Sequence, residues 1–191
     1  LLEQSAKVVV LDDFSQSSKK NLPSDKKLKI IKGNITNEKI LKKTFSTKFD
    51  YVFHLAARFA NELSVKDPME DLKVNTQGTL QVLLHSSKQN LKRFIYTSSS
   101  SLYGVQNATL FKETLYPNPS TPYAASKLSA EHYCNALGKL TGLKYTVVRL
   151  SNSYGPLDPP GNFRNVIPNF FDAALKNKNL VITGTGNETR D

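Results

Sequence analysis

Arg93-Phe-Ile-Tyr-Thr97 and Tyr145-Thr-Val-Val-Arg-Leu150 are short apolar runs rich in aromatic and β-branched residues, and residues 122–140 between them carry a helical pattern. Pro122 stands near the first turn of that pattern and Gly142 just past its end, where each is favoured at helix termini. Strand, helix, strand is the repeating unit of a parallel sheet. Working outward, Lys7-Val-Val-Val-Leu11, Lys29-Ile-Ile31 and Tyr51-Val-Phe-His-Leu55 read as further buried strands, with helices over 38–45 and 71–89. Near-continuous apolar strands belong to sheets covered on both faces. The expected fold class is therefore α/β, a doubly wound parallel sheet spanning about residues 1–150. From residue 151 the texture changes to Asn, Gly and Pro, followed by a helix over 166–176 and a strand over 180–183. Residues 151–191 read as the opening of a second region.

Composition narrows the function classes. The chain has 191 residues, of which 39% are hydrophobic and 22% charged, as in a globular protein with a real core. No apolar run approaches the ~18–20 residues of a membrane span, so no membrane partner is expected. Residue 1 is Leu and no charged-then-apolar leader follows it, which reads as a chain without a visible signal peptide whose start lies upstream. A single cysteine, Cys134, excludes a disulfide framework, and no Cys/His cluster has metal-ligand spacing. The compartment expected is the cytoplasm, and the Asn-x-Thr triplets at Asn34, Asn107 and Asn187 are read as chance. Lys and Arg number 26 against 16 Asp and Glu, a formal charge of +10. That excess fits an anionic ligand or a solvated lysine-rich surface; the lysines are scattered and lack the interleaved aromatics of single-strand nucleic-acid binders.

Three motifs carry chemistry. Val10-Leu-Asp-Asp13 is a strand ending in carboxylates, which either accept hydrogen bonds from the adenosine ribose of a dinucleotide or cap the next element. Gly184-Thr-Gly186 begins like a dinucleotide loop, but nothing helical follows and it reads as a turn. In Thr121-Pro-Tyr-Ala-Ala-Ser-Lys127 the residues Tyr123 and Lys127 stand at i and i+4 on one helix face. A nearby ammonium and the first-turn N–H groups favour a phenolate, so Lys127, together with a positively charged nicotinamide, is expected to pull the Tyr123 pKa down. A bare Tyr-x-x-x-Lys is also a common surface pair. What changes the reading is the strand running into Thr97-Ser-Ser-Ser-Ser101-Leu-Tyr-Gly104, whose hydroxyls fall at the carboxyl edge where such sheets bind ligands. Ser99 can then share a substrate oxygen with Tyr123.

Strand-Asp12, His54-Leu-Ala-Ala57, Asn75, the serine run before Tyr103-Gly104, Tyr123-x-x-x-Lys127, Arg149-Leu-Ser-Asn152 with Tyr154-Gly155-Pro156, and Gly184-x-Gly-x-x-x-Arg190-Asp191 occur in the order of the extended short-chain dehydrogenase/reductases. The chain resembles their NAD-dependent epimerase/dehydratase family over essentially its whole length. The resemblance implies a Rossmann-like domain over 1–150, lacking the first strand and glycine loop, and the start of a nucleotide-sugar domain over 151–191. It implies that Ser99, Tyr123 and Lys127 are catalytic. It implies that Asp12, Asp13, Phe14, Asn34, Ile35, Leu55, Ala56, Ala57 and Asn75, with Tyr123 and Lys127, hold NAD. It also implies that Ser99, Ser100, Tyr123, Asn152 and Arg190 meet the sugar nucleotide, a UDP-hexose by the nearest resemblance, and that the protein is a homodimer. His54 reads as a packed strand residue and no catalyst.

One departure sorts the family's reactions. Its 4,6-dehydratases typically follow the catalytic hydroxyl with Asp-Glu, where this sequence has Ser100 and Ser101. Elimination of water needs a carboxylic acid and base there, and epimerisation needs neither. The expected activity is 4-epimerisation through a transient 4-keto sugar. A 4,6-dehydratase or 4-keto-sugar reductase is the rival within the family, and a non-catalytic dinucleotide- or RNA-binding protein is the rival outside it.

Overall fold

The computed structural model describes residues 1–106, 110–182 and 184–187. Five strands lie in two parallel sheets. β1 (Val8–Asp12) pairs with β2 (Leu28–Lys32), and β3 (Tyr51–His54), β4 (Arg93–Ser99) and β5 (Tyr145–Leu150) follow in the order β3-β4-β5. The β4–β5 register runs to Ser99 opposite Leu150, whereas β3 ends at His54 opposite Tyr96. The serine run thereby projects past β3 at the carboxyl edge.

The helices follow their local signals. α1 (Glu38–Thr44) starts on Asn37, whose side chain accepts the N–H groups of Lys39 and Ile40. α5 (Pro122–Thr141) starts on Thr121, whose hydroxyl accepts the Ala124 N–H at 3.2 Å, and stops at Gly142 in the left-handed conformation, φ +75°. α2 (Asn61–Lys66) was not legible as a helix. α6 (Val166–Leu175) follows β5 after an irregular stretch. α5 packs on β4 and β5, and α4 (Thr79–Ser86) packs against α5 and α1. Phe94 and Tyr96 of β4, Leu83 of α4, and Ala130 and Cys134 of α5 form the fully buried centre of the core. The opposite face of β3 and β5 shows Tyr51, Phe53, Val148 and Leu150 to solvent among the described residues, where the apolar strands predict cover on both faces.

Two expectations need correction. Leu180, Val181 and Ile182 are exposed and form no strand, because an apolar run becomes a strand only beside a partner and none of the described residues offers one; Thr183 lies outside them. The helix predicted over 71–89 starts earlier, as α3 (Pro68–Asp71) capped by Asp67, widens into a π-helix over Leu72–Gly78, and resumes as α4. Wide turns of this kind concentrate at functional sites. Here the turn faces both Asn75 and Thr76 inward, buried against the loop after β3 and against α5. No helix among the described residues is long and apolar enough to cross a membrane, and none of their His, Cys, Asp or Glu side chains cluster as a metal site.

Candidate active site

β4 delivers Ser99 to the sheet edge, where it caps a 3-10 turn over Ser100–Tyr103. Its hydroxyl accepts the Ser101 N–H at 3.1 Å and lies 2.7 Å from the Ser101 hydroxyl. Tyr123, in the first turn of α5, brings its phenol close enough to the Ser99 side chain for that hydroxyl to favour the phenolate. One turn on, Lys127 is 3% exposed, with its Nζ 4.6 Å from the centre of the Tyr96 ring. Serine, phenol and amine thus come from two adjoining elements to one edge of one sheet.

In the protein alone the electrostatics differ from the expectation. Burial pushes the Tyr123 phenol above its ordinary value, the nearby Ser99 hydroxyl opposes this, and the charge of Asp71 adds to the rise. Lys127 does not pull the phenol down in the protein alone. Its ammonium lies over Tyr96, and burial lowers its own pKa to about 8 against the opposing charges of Asp71 and Glu131. An anionic Tyr123 therefore needs a further positive charge at the site.

His54 is a packed strand residue, as read. It stacks on Phe94 and Tyr96, and burial first, then the charge of Lys127, drives its pKa to about 3. The Thr79 hydroxyl donates to the Asn75 carbonyl at 2.6 Å, so at 2.8 Å it accepts from His54 Nε2, which fixes the neutral Nε2–H tautomer.

A cleft of about 510 Å³ runs between the two sheets. Asp12, Asp13, Asn34, Ile35, Leu55, Ala56 and Ala57 all line it, so the structure gathers residues scattered over 46 positions. Both described hydrogen bonds to the Asp12 carboxylate, from the Phe14 N–H at 2.7 Å and the Ser17 hydroxyl at 3.2 Å, fall on Oδ1. Phe14 itself is in the left-handed region, φ +58°, and is not among the lining residues. Asp13 sits below the ordinary carboxylate value: burial works upward, and hydrogen bonds from Ser15 and Asn34 outweigh it. The Asn34 amide donates to Asp13 at 2.8 Å and its oxygen accepts from Thr36, which ties the ends of β1 and β2 together.

Asn75 is buried behind the cleft and clamps the loop after Ala57. Its amide oxygen accepts the Arg58 N–H at 2.8 Å and its Nδ2 donates to the Arg58 carbonyl at 2.9 Å. Ser99, Tyr123 and Lys127 are not among the cleft's lining residues. Ser100 is half-buried beside Ser99, Asn152 is exposed in the stretch after β5, and Arg190 lies outside the described residues.

Two features escaped the sequence reading. Asp71, 1% exposed, accepts the Ser126 hydroxyl at 2.6 Å and the Asn75 amide at 2.8 Å. Arg149 grips both carboxylate oxygens of Glu131 and donates to the Tyr103 hydroxyl at 2.8 Å, which pins the turn after the serines to α5. A lone acidic residue on an otherwise inward helix face is the signal that would have found Asp71.

Comparison with known proteins places this geometry. The chain superposes on an epimerase of Methanothermobacter thermautotrophicus with a TM-score of 0.94 and 41% identity, covering 97% of this chain and 56% of that one. It matches the UDP-glucose 4-epimerase of Thermotoga maritima, solved with UDP-glucose, at 0.94 and 34%, covering 100% and 62%. A dTDP-D-glucose 4,6-dehydratase of Dictyostelium discoideum is 32% identical over 98% of this chain and 46% of its own length. The chain thus spans about half to three fifths of the length of such relatives. Residues 1–191 match the NAD dependent epimerase/dehydratase family throughout, and with its parallel Rossmann-like architecture and NAD as cofactor the chain belongs to that family.

Proposed function

We propose that this chain supplies the NAD-binding domain, about residues 1–150, and the start of the substrate domain of a nucleotide-sugar 4-epimerase. The observation that carries the reading is the approach of the Ser99 and Tyr123 side chains at the carboxyl edge of β4, one helical turn from Lys127.

The cleft suits a dinucleotide. Asp12 offers a carboxylate whose Oδ2 takes no described hydrogen bond, an acceptor for ribose hydroxyls, and Ala56 and Ala57 let the backbone approach closely. Asp13, Phe14, Asn34, Ile35 and Leu55 complete the adenosine side, and Asn75 acts through the Arg58 backbone. NAD, when bound, supplies a reversible hydride acceptor and a positive ring. Tyr123 Oη then takes the proton of the sugar 4-hydroxyl and later returns it. Ser99 Oγ orients that oxygen and Lys127 holds the nicotinamide ribose. With NAD bound, the cofactor would supply reversible hydride transfer at C4, and a 4-keto sugar free to turn over in the site would accept the hydride on its other face.

Ser100 and Ser101 favour this over the dehydratase reading. Serine hydroxyls do not ionise near neutral pH and cannot stand in for the carboxylic acid and base of an elimination. The UDP-glucose bound to the Thermotoga relative supports a UDP-hexose, met by Asn152 and Arg190 in addition. Ala125, His132, Tyr133 and Ala136 are exposed along the outer side of α5, which supports a homodimer through that helix. A cytoplasmic location completes the reading.

The test is Tyr123→Phe in the full-length protein, assayed for interconversion of UDP-glucose and UDP-galactose. The phenol is the proton carrier, so kcat should fall at least ~100-fold. Interconversion by Tyr123→Phe at the parent rate removes the mechanism.

A further inference from the structure

Asp71 closes α3 where the helix opens into its wide turn, and its carboxylate is enclosed by protein. Buried carboxylates need solvation from the fold itself. Here two neutral donors provide it: the Ser126 hydroxyl on Oδ2 and the Asn75 amide on Oδ1. Ser126 lies between Tyr123 and Lys127 on α5, and its carbonyl also accepts the Thr76 hydroxyl at 3.2 Å. Asn75 in turn holds the Arg58 backbone at the cleft rim. One carboxylate therefore joins the catalytic helix to the cofactor loop.

The charges around Lys127 can be surveyed element by element. From β3 and β4 come His54, kept neutral by burial, and Tyr96, whose phenol burial holds protonated. On α5 itself the Tyr123 phenol and the Cys134 thiol are both pushed up by burial and stay neutral, the thiol to about 12. Glu131 lies on the same helix, but Arg149 occupies both of its oxygens, at 3.1 and 2.8 Å. Arg58 pairs with Asp67 at 3.4 Å. Asp71 remains as the carboxylate whose described hydrogen bonds come from neutral groups alone; burial pushes its pKa up, and the bonds from Ser126 and Asn75 with the charges of Arg58 and Lys127 work against that rise.

We propose that Asp71 is a positioning residue, which keeps Lys127 charged and locks the first turn of α5 to the loop that borders the cofactor cleft. The proposal rests on the assignment of Lys127 above and extends it to a residue that touches neither cofactor nor substrate.

The test is an NMR titration of the Lys127 side chain in the cofactor-free, full-length protein, assigned with Lys127→Met, in the parent and in Asp71→Asn. Asparagine keeps the shape and removes the charge. The Lys127 midpoint should fall by about one pH unit in Asp71→Asn, as expected for loss of a nearby opposite charge. Glu131→Gln should move it less, since Arg149 already offsets that charge. An unchanged midpoint in Asp71→Asn overturns the proposal. Should Asp71→Asn fail to fold, the double variant with Lys127→Met decides. Recovery of folding means that Asp71 answers the Lys127 charge; continued failure means that it acts independently of Lys127, and the proposal falls. Neither readout requires turnover, so this outcome is separate from that of Tyr123→Phe.

Discussion

Lys127 is destabilising in the protein without its cofactor, and replacing it should show how much. Its side chain is almost wholly enclosed, and burial lowers its pKa from 10.5 to about 8 in spite of Asp71 and Glu131. A displacement of that size is worth about 3 kcal/mol against the charged form. The sign follows from proton linkage. Between pH 8 and 10.5 the unfolded chain holds the Lys127 proton and the folded protein releases it, so stability rises with pH across that window. Below about pH 8 both states are protonated and the penalty is constant. Lys127→Met keeps most of the volume and removes the charge, and should stabilise the cofactor-free protein by up to about 3 kcal/mol at pH 7, roughly 5–10 °C in Tm. Urea unfolding of parent and variant at pH 7 and pH 10 measures it, with the gain shrinking toward the higher pH. A variant less stable than the parent at pH 7, or a difference that does not change with pH, would refute the reasoning. The activity should be lost in either case, since a stability gain at a site built for chemistry comes at the expense of function.

Two further predictions test other parts of the fold. His54 has its pKa lowered from 6.5 to about 3, so its contribution is fully present above pH 6.5 and lost as pH falls toward 3. Between pH 7 and pH 4.5 the parent should lose about 2.5 kcal/mol from this residue, a loss absent in His54→Gln when both are unfolded in urea. At Gly104, φ is +62° and a Cβ would sit 2.0 Å from the Asn118 carbonyl oxygen. Gly104→Ala should cost at least about 2 kcal/mol and loosen the turn that follows the serine run; a Tm equal to the parent's would contradict this.

Local signals made α5 and β5 legible. Thr121, Pro122 and Gly142 mark both ends of α5 within the chain's own sequence, and β5 matches its predicted run residue for residue. The family resemblance supplied the residues expected at the cofactor, and those that follow β1, β2 and β3 line one cleft because strand ends converge in a parallel sheet. What was not legible depends on partners distant in sequence. Residues 180–182 have strand-like composition without a neighbouring strand. Asp71 looks like a surface acid until Ser126, 55 positions away, closes over it. The Tyr123 pKa went the other way because adjacency on a helix face gives no measure of burial, and burial outweighs the other influences there.

The wide turn over Leu72–Gly78 carries a consequence for sequence change in this helix. A π-helical turn holds one residue more than an α-helical turn, and an α-helix advances about 100° per residue. Removal of a single residue from the turn would let it tighten into ordinary α-helix at no loss of backbone pairing and with the flanking segments close to their present orientation, because the wide turn already spends its extra residue without extra rotation. Asp71 could then stay near Ser126, but Asn75 and Thr76 could no longer both face inward. The length of this turn is thus set by how many side chains must point into the protein, and not by the pairing of its backbone.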